Sequence, residues 1–536
     1  MPKSDVSKNT HLSIETADSG FYQGFNKVVS ITPKVLVIAL IIWAGFFPES
    51  SGPALLTMQN WTTDVFGAWY MYVAALFMIA TVLLAIIPKS AHTKLGLPDD
   101  TPEFSNFSWF SMMFGAGIGI GMLTYSTAEP IFHFVSNPDT ILGFAEGSTA
   151  GNVRNAYKWA FLHYALTPWA CYAVIGITLG YLSYNRGFPL TIRSSLQPLF
   201  GKAVSGPLGH IVDIVAILAT IIGVGVTIGY GVSQFASGVF NITPAAWLMT
   251  DGKPSLAAQI TALSIVLIAS TISAMSGVDK GIKWLSNINM GLSFFLLIFF
   301  VFFGSLLFAA KIFGFAIYDY VTNLMQMSFT VWDAKEVAPS ADLAAWQGSW
   351  TIFYWAWWIA FAPFVGLFLA RVSRGRTIRE YVIGAMVIPS ITCLTWFTLI
   401  GGTAIDLELS GIANGSIVNS DISAQLYQTI NLILSSPFAA AMSVVIVILL
   451  LTYLITSVDS AILIVTTLAS GGNQAQKHAR HIVIWGVLFM AVIASLLAAG
   501  GLDALRSAMI IGALPFSFVM VLMLISLVKV LFFSKD

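Results

Sequence analysis

The chain reads as an all-α integral membrane protein with 12 transmembrane helices, and three observations predict this. Apolar residues make up 57% of the 536 and charged residues only 9%, against about 25% charged in an ordinary soluble domain. Twelve apolar runs are each about 20 residues or longer, enough to cross the ~30 Å hydrocarbon core of a bilayer. Lysine and arginine, finally, segregate into alternate loops. The formal net charge is zero, which leaves no basic footprint for nucleic acid. Cys171 and Cys393 both lie in apolar stretches, so neither a disulfide framework nor a cysteine-rich metal centre is expected.

Taken in order, the runs fall at residues 35–56, 66–88, 107–135, 156–182, 206–238, 256–275, 285–310, 346–370, 380–402, 437–469, 481–500 and 505–532. Placing the amino terminus inside leaves only Arg154, Lys158, Lys253, Lys311, Lys335 and Arg506 outside, so 19 of the 25 basic residues are cytoplasmic. The opposite orientation inverts that ratio, and an even count then puts both termini in the cytoplasm. Residues 1–34 form a polar cytoplasmic tail with no cleavable secretion signal, and 533–536 a short one at the other end. In the outer segment 311–345, Ile312, Phe313, Phe315, Ile317, Tyr320, Val321 and Leu324 suit an amphipathic helix on the bilayer surface. A folded loop capping the neighbouring helices fits that segment equally well.

Three runs depart from simple lipid solubility. The third contains Gly115, Gly117, Gly119 and Gly121 at alternate positions. Such a run weakens the helical ladder and can expose carbonyl oxygens at mid-membrane depth, where they are tolerated only around a cavity or an ion. Close helix packing through small residues is the competing explanation. The eighth carries Trp346, Trp350, Tyr354, Trp358 and Phe361 on one helical face, flanked by Trp355 and Trp357. A stripe of π faces can enclose a cation that has no N–H to donate, such as a trimethylammonium or dimethylsulfonium group. Tyr164, Trp169 and Tyr172 of the fourth run, with Pro168 bending the helix, offer an opposite wall. Aromatic core packing is the plainer alternative. The tenth holds Thr456, Ser457 and Asp459. Hydroxyls supply oxygen ligands without the charge of a carboxylate, or they bond back to the preceding turn; a buried Asp is functional, capping or ion-paired.

Together these segments resemble the betaine/choline/carnitine transporter family. The matching text is Phe47-Pro48-Glu49, Ser111-Met112-Met113-Phe114 and Ala128-Glu129-Pro130. It continues with Pro168-Trp169-Ala170, the stretch from Trp350 to Trp358 and on to Pro363-Phe364-Val365-Gly366, Arg371 to Glu380, and Thr456 to Ser460. The resemblance runs from about residue 35 to 525. It implies two five-helix inverted repeats, spans 3–7 (residues 107–310) and 8–12 (346–532), preceded by two extra helices (35–88), with 311–345 as the outer connection. The interrupted third and eighth spans then occupy corresponding positions, where a binding site is expected.

Carried over residue by residue, the resemblance implies an onium cage of Trp169, Tyr172, Trp357, Trp358 and Phe364, with Tyr164 and Phe361 standing where betaine carriers have Trp. A substrate carboxylate would meet backbone N–H groups around Gly117, Gly119 and Gly121. A sodium ion, the cation expected to drive transport, would take carbonyls of Gly115, Ile118 and Tyr453 and the hydroxyls of Thr456 and Ser457. A second sodium is not expected, because Val224 pairs with Thr220 where two hydroxyls are needed, although Thr227 lies one turn on.

The function so implied is sodium-coupled import of a methylated onium zwitterion, such as glycine betaine or dimethylsulfoniopropionate, across the bacterial inner membrane. The expected assembly is a homotrimer in the lipid bilayer, with no nucleic-acid partner. Proton-coupled choline-type uptake and sodium-independent exchange on the same fold are the alternatives. The short carboxyl-terminal tail predicts no strong osmotic activation. An enzyme would need clustered His and carboxylates, and the seven His are scattered along the sequence.

Overall fold

The computed structural model describes residues 12–117, 119–276, 281–333, 338–473 and 478–534. Helix α1 (Lys27–Phe46) starts at Asn26, whose side chain accepts from the Val29 N–H at 3.0 Å. Pro48 lacks the N–H needed to continue that helix and instead opens α2 (Pro48–Ile86). The first apolar run is therefore divided at Phe47, and α1 reaches back into residues 27–34, which the sequence reading assigned to the tail. What precedes α1 folds back on the bundle: Asn26 N–H donates to the Ala469 carbonyl at 2.9 Å, and the Phe25 ring lies 4.2 Å from that of His481.

Helices α3 (Asn106–Gly117) and α4 (Gly119–Val135) flank Ile118, which lies outside the described residues. The fourth run divides into α5 (Val153–Tyr164) and α6 (Leu166–Gly180) at Ala165, with φ −90° and ψ −125°. Pro168 explains the position of this break. It cannot donate to the carbonyl of Tyr164, four residues earlier, so the ladder fails there and not at the proline itself. Then come α7 (Pro207–Ile242), α8 (Leu256–Ser276) and α9 (Gly281–Phe303).

The outer connection is helical: α10 (Leu306–Phe329) buries Ala309, Ile312, Ala316, Tyr320 and Leu324 and exposes Leu307, Phe315, Tyr318, Val321 and Met325. Next, α11 (Ser340–Gln347) runs through a wide turn at Gly348–Ile352, where hydrogen bonding slips by one residue, into α12 (Phe353–Val372). A second wide turn, Ile383–Val387, leads into α13 (Ile388–Leu409), preceded by a reciprocal cap between Thr377 and Glu380. The remaining helices are α14 (Gln425–Ile433), α15 (Ser436–Ala469) and α16 (Ala479–Val528).

Among the described residues, ten helical segments are long and apolar enough to cross a membrane. The separate pieces α3 and α4, of 12 and 17 residues, fall short individually. The last segment is counted once although α16 has 50 residues. At 1.5 Å per residue it would be about 75 Å long if straight, more than twice the hydrocarbon core. It is not straight, because Gly500 and Gly501 leave helical geometry in its middle.

Burial sorts the helices into an inner and an outer set. In the most apolar stretch of the Ala150–Asn185 and Ser340–Val372 segments 94% of residues are buried, against 33% in Lys27–Phe46 and 28% in Leu285–Phe303. The outer set presents Val35, Ile42, Ile268, Phe302 and other large apolar side chains outward, as lipid contact requires. The two inner segments carry the aromatic runs.

Gly501 has φ +64° with open space around its missing Cβ, so alanine there meets backbone strain and no clash. Gly501→Ala is expected to destabilise the detergent-solubilised protein by about 1–3 kcal/mol, read as a lower unfolding midpoint. An unchanged midpoint would mean that the break does not depend on glycine.

Candidate functional site

The inner helices converge on a knot of buried rings. Trp357 and Trp358 of α12 stack with centroids 5.1 Å apart and planes 7° from parallel. One turn earlier, Tyr354 stacks on both, at 6.1 and 5.7 Å. Tyr164, the last residue of α5, stands edge-on to Trp358 at 5.5 Å and to Tyr354 at 5.2 Å. The break at Ala165 frees the chain to turn there, and Trp169 and Tyr172 follow on α6. Tyr172 lies 6.3 Å from Trp358 and 6.5 Å from Phe361. Trp169 joins through Tyr172 at 5.8 Å, and Phe364 through Phe361 at 5.1 Å. All seven rings expected from the sequence thus belong to one connected chain centred on Trp358.

Three further rings enter that the sequence reading missed. Tyr125 of α4 is edge-on to Tyr354 at 5.6 Å and to Trp357 at 5.8 Å. Tyr230 of α7 lies 5.3 Å from Tyr125 and 5.7 Å from Trp357, and Phe397 of α13 lies 4.3 Å from Tyr164. A single tyrosine in an apolar run carries no local signal. The one available clue was that Tyr125 stands four residues before Glu129, on the same helical face.

Hydrogen bonds fix how the indoles present themselves. Trp357 Nε1 donates to Thr227 Oγ1 and Trp358 Nε1 to the His163 carbonyl, both at 3.0 Å. With both N–H groups taken by the protein, these rings offer only π faces and edges to a guest. The Thr227 hydroxyl donates to the Gly223 carbonyl at 3.3 Å and that of Thr220 to the Ala216 carbonyl at 2.8 Å. The oxygen of Thr227 is therefore engaged in holding Trp357. Tyr172 Oη is buried without a hydrogen-bond partner among the described residues.

On the other side of α4 lies the group expected to bind an ion. A Cβ on Gly119 would stand 2.3 Å from the Tyr453 ring, so α4 begins in direct contact with α15 only because residue 119 has no side chain. Tyr453 Oη pairs with Ser293 Oγ at 2.9 Å. Thr456 donates back to the carbonyls of Thr452 and Tyr453, at 3.0 and 3.1 Å, and accepts from Asn289 Nδ2 at 3.2 Å. Ser457 is partly exposed beside it. Asn289 Oδ1 is buried without a partner among the described residues, an acceptor the sequence reading did not single out. Gly115 and Gly117 lie at the end of α3 and Gly121 in the first turn of α4. The expected carbonyl of Ile118, and any opening of the helix there, lie outside the described residues. Asp459, fully buried, accepts from Ser273 Oγ at 2.7 Å and from Ser460 at 3.2 Å, so among the described residues hydroxyls hold it.

One expectation needs correcting. The histidines are scattered in sequence, yet His133 and His163 meet Glu129 in space. Glu129 Oε1 lies 2.6 Å from His163 Nδ1 and 3.3 Å from His133 Nε2, and Oε2 accepts from the Tyr354 hydroxyl at 2.5 Å. The i,i+4 spacing of Glu129 and His133 was legible, but the third member comes from α5, 30 residues after His133, and only packing brings it in. The three ligand-type atoms lie within 4.8 Å of one another, a span that suits a metal. The Glu129 oxygens are already engaged by the two imidazoles and Tyr354, and the far nitrogen of His163 by Thr351, which makes the group a hydrogen-bonded network; His133 Nδ1 alone is left without a partner among the described residues.

A family model described as the betaine/carnitine/choline family transporter matches residues 28–535. The chain is 37% identical to the glycine betaine transporter OpuD of Bacillus subtilis, over 94% of this chain and 93% of that protein. It is 34% identical to the betaine/ectoine transporter LcoP of Corynebacterium glutamicum, over 94% and 78%. The high-affinity choline transport protein of Escherichia coli is also 34% identical, over 94% and 72%. With its apolar helices, its inner aromatic knot and this match along nearly its whole length, the chain belongs to the betaine/carnitine/choline family of transporters, multi-pass membrane carriers and not enzymes.

Proposed function

We propose that this transporter is a sodium-coupled symporter importing a methylated onium zwitterion, such as glycine betaine or dimethylsulfoniopropionate. The observation that carries the reading is the single chain of rings around Trp358, whose indole N–H is turned away to the His163 carbonyl. An onium group needs no hydrogen-bond acceptor, and π faces in a desolvated setting attract it by about 2 kcal/mol each. The unpartnered Tyr172 hydroxyl is a donor suited to a carboxylate. Relatives named for betaine, choline and ectoine support the same substrate class.

For sodium, the support is the chemistry of the donors. The ion prefers oxygen ligands, and Tyr453, Thr456 and Ser457 supply a carbonyl and two hydroxyls beside the start of α4. The buried Asn289 Oδ1 adds an orphaned acceptor next to Thr456. The carbonyls of Gly115 and Ile118 complete the set we propose. Because Thr227 is committed to Trp357, one sodium is a better fit than two. One charge carried inward with a neutral zwitterion gains about 2.3 kcal/mol per 100 mV of membrane potential. The contact of Gly119 with Tyr453 joins ion and substrate regions through α4, so occupancy of one biases the shape of the other.

The architecture we propose has twelve spans, counting α3 with α4 once and α16 twice, arranged as two inverted repeats, spans 3–7 and 8–12, in a homotrimer. The excess of Lys and Arg in alternate loops supports cytoplasmic termini in a bacterial inner membrane.

Uptake of a panel of onium compounds into proteoliposomes, with and without an inward sodium gradient, tests the reading. Accumulation that ignores sodium would exclude the symport. Trp358→Leu is expected to weaken onium binding about thirtyfold, the equivalent of ~2 kcal/mol, in protein that still reaches the membrane folded; retained affinity would remove Trp358 from the cage. Thr456→Ala combined with Ser457→Ala is expected to raise the sodium concentration for half-maximal uptake by about tenfold or more, at ~1 kcal/mol per lost ligand oxygen. Unchanged sodium dependence would refute those ligands.

A further inference from the structure

The polar network behind the rings takes no part in the proposed onium and sodium sites beyond the Tyr354 ring. Glu129, His133, His163 and Tyr354 come from α4, α5 and α12, and each is essentially inaccessible to solvent. The far nitrogen of His163 lies 3.0 Å from Thr351 Oγ1, so the imidazole is held at both ends, between a carboxyl and a hydroxyl. Among the described residues no lysine or arginine forms an ion pair with Glu129.

Counting protons singles out one state. With the carboxyl ionised and both imidazoles neutral, each keeping one N–H, the trio of Glu129, His133 and His163 carries one negative charge. One shared proton makes it neutral, and a second makes it a cation. An uncompensated charge inside a membrane bundle costs several kcal/mol, so the neutral, singly protonated trio is the state that this enclosure stabilises. The short Glu129–His163 contact is where that proton sits, on the carboxyl or on the imidazole, with Tyr354 donating to the other carboxyl oxygen.

We propose that Glu129, His163 and His133 form an internal proton-binding site, and that its occupancy is passed to the aromatic cluster through Tyr354. The link is direct. Tyr354 stacks on Trp357 and Trp358 and its hydroxyl accepts from that of Tyr164 at 3.4 Å, while the His163 carbonyl holds the Trp358 indole. Loss of the proton to water leaves a buried anion, which must be hydrated or must draw Tyr354 off the rings; either change disturbs the wall that faces the substrate. Protonation from water reverses it, and no other reactant takes part.

The surroundings leave this proton as the titrating element. Tyr125 on α4 itself, Tyr164 on α5, Tyr230 on α7 and Cys393 on α13 are buried and neutral near pH 7. On α5, Arg154 pairs with Asp319 and Lys158 with Asp139. From α16, Arg506 stays charged, donating to the Ser349 carbonyl at 2.7 Å and lying over the Phe353 ring at 4.2 Å.

The test reads protonation and transport separately. Infrared difference spectra of the full-length protein between about pH 6 and pH 9 are expected to contain a protonated-carboxyl band that Glu129→Gln removes. Sodium-saturated uptake of glycine betaine in proteoliposomes is expected to fall as pH rises over the same interval, by up to about tenfold per unit beyond the midpoint. Glu129→Gln keeps the donor and acceptor of the neutral carboxyl and is expected to retain uptake at the alkaline end. A band that survives the substitution, a flat parent profile, or a variant that keeps the parent's profile overturns the proposal. If glycine betaine is not taken up at all, the infrared arm still decides the matter. A negative infrared result, conversely, leaves sodium-dependent uptake standing.

Discussion

Between the inner helices a buried donor is costly unless it finds an acceptor on the protein. The aromatic site rests on that constraint. Trp357 is oriented because its N–H must reach Thr227 on α7, Trp358 because its N–H must reach the main chain of α5, and Tyr354 because its hydroxyl must reach Glu129 on α4. Three rings on one helix are thereby pinned to three different neighbours, and their π faces are what remains free. Tyr172 Oη and Asn289 Oδ1, buried without a partner among the described residues, lie among the groups we propose for a carboxylate and a cation.

The same cost explains where helices break. A carbonyl left open in lipid is costly, but one left open inside the bundle can be met by a side chain. The breaks at Ala165 and the wide turn at Gly348–Ile352 both occur in the two segments that are 94% buried. The Tyr164 ring and the Tyr354 hydroxyl stand next to them. The outer helices, two-thirds or more of whose apolar stretches face lipid, have no such latitude. The interruption at their edge falls at a terminus, at Phe47 before Pro48.

Much of this was legible in the residues. The spacing of Trp350, Tyr354 and Trp358 announced one helical face, and the structure places them in line, with Trp350 6.4 Å from Tyr354. Pro168 announced an interruption, though its effect falls at the carbonyl it cannot serve. Thr227 read as a spare cation ligand because its hydroxyl is visible in the sequence and its partner, an indole from another helix, is not. Glu129 read as part of a motif, whereas Asp459 drew the attention due to a buried acid. In space Asp459 is held by serines and Glu129 is the hub.

Apolar run lengths, the periodicity of the aromatic residues and the distribution of Lys and Arg are properties of one segment at a time. They therefore determined by themselves that this chain spans a membrane as a bundle of helices and which faces bear rings. The company each polar atom keeps is a property of several segments at once. Tyr125, Tyr230 and Phe397 joined the rings, and two distant histidines closed on Glu129, only when helices far apart in sequence packed together. Hydrogen-bond partners within one helix are fixed by its geometry, whereas partners between helices exist only once the bundle has formed.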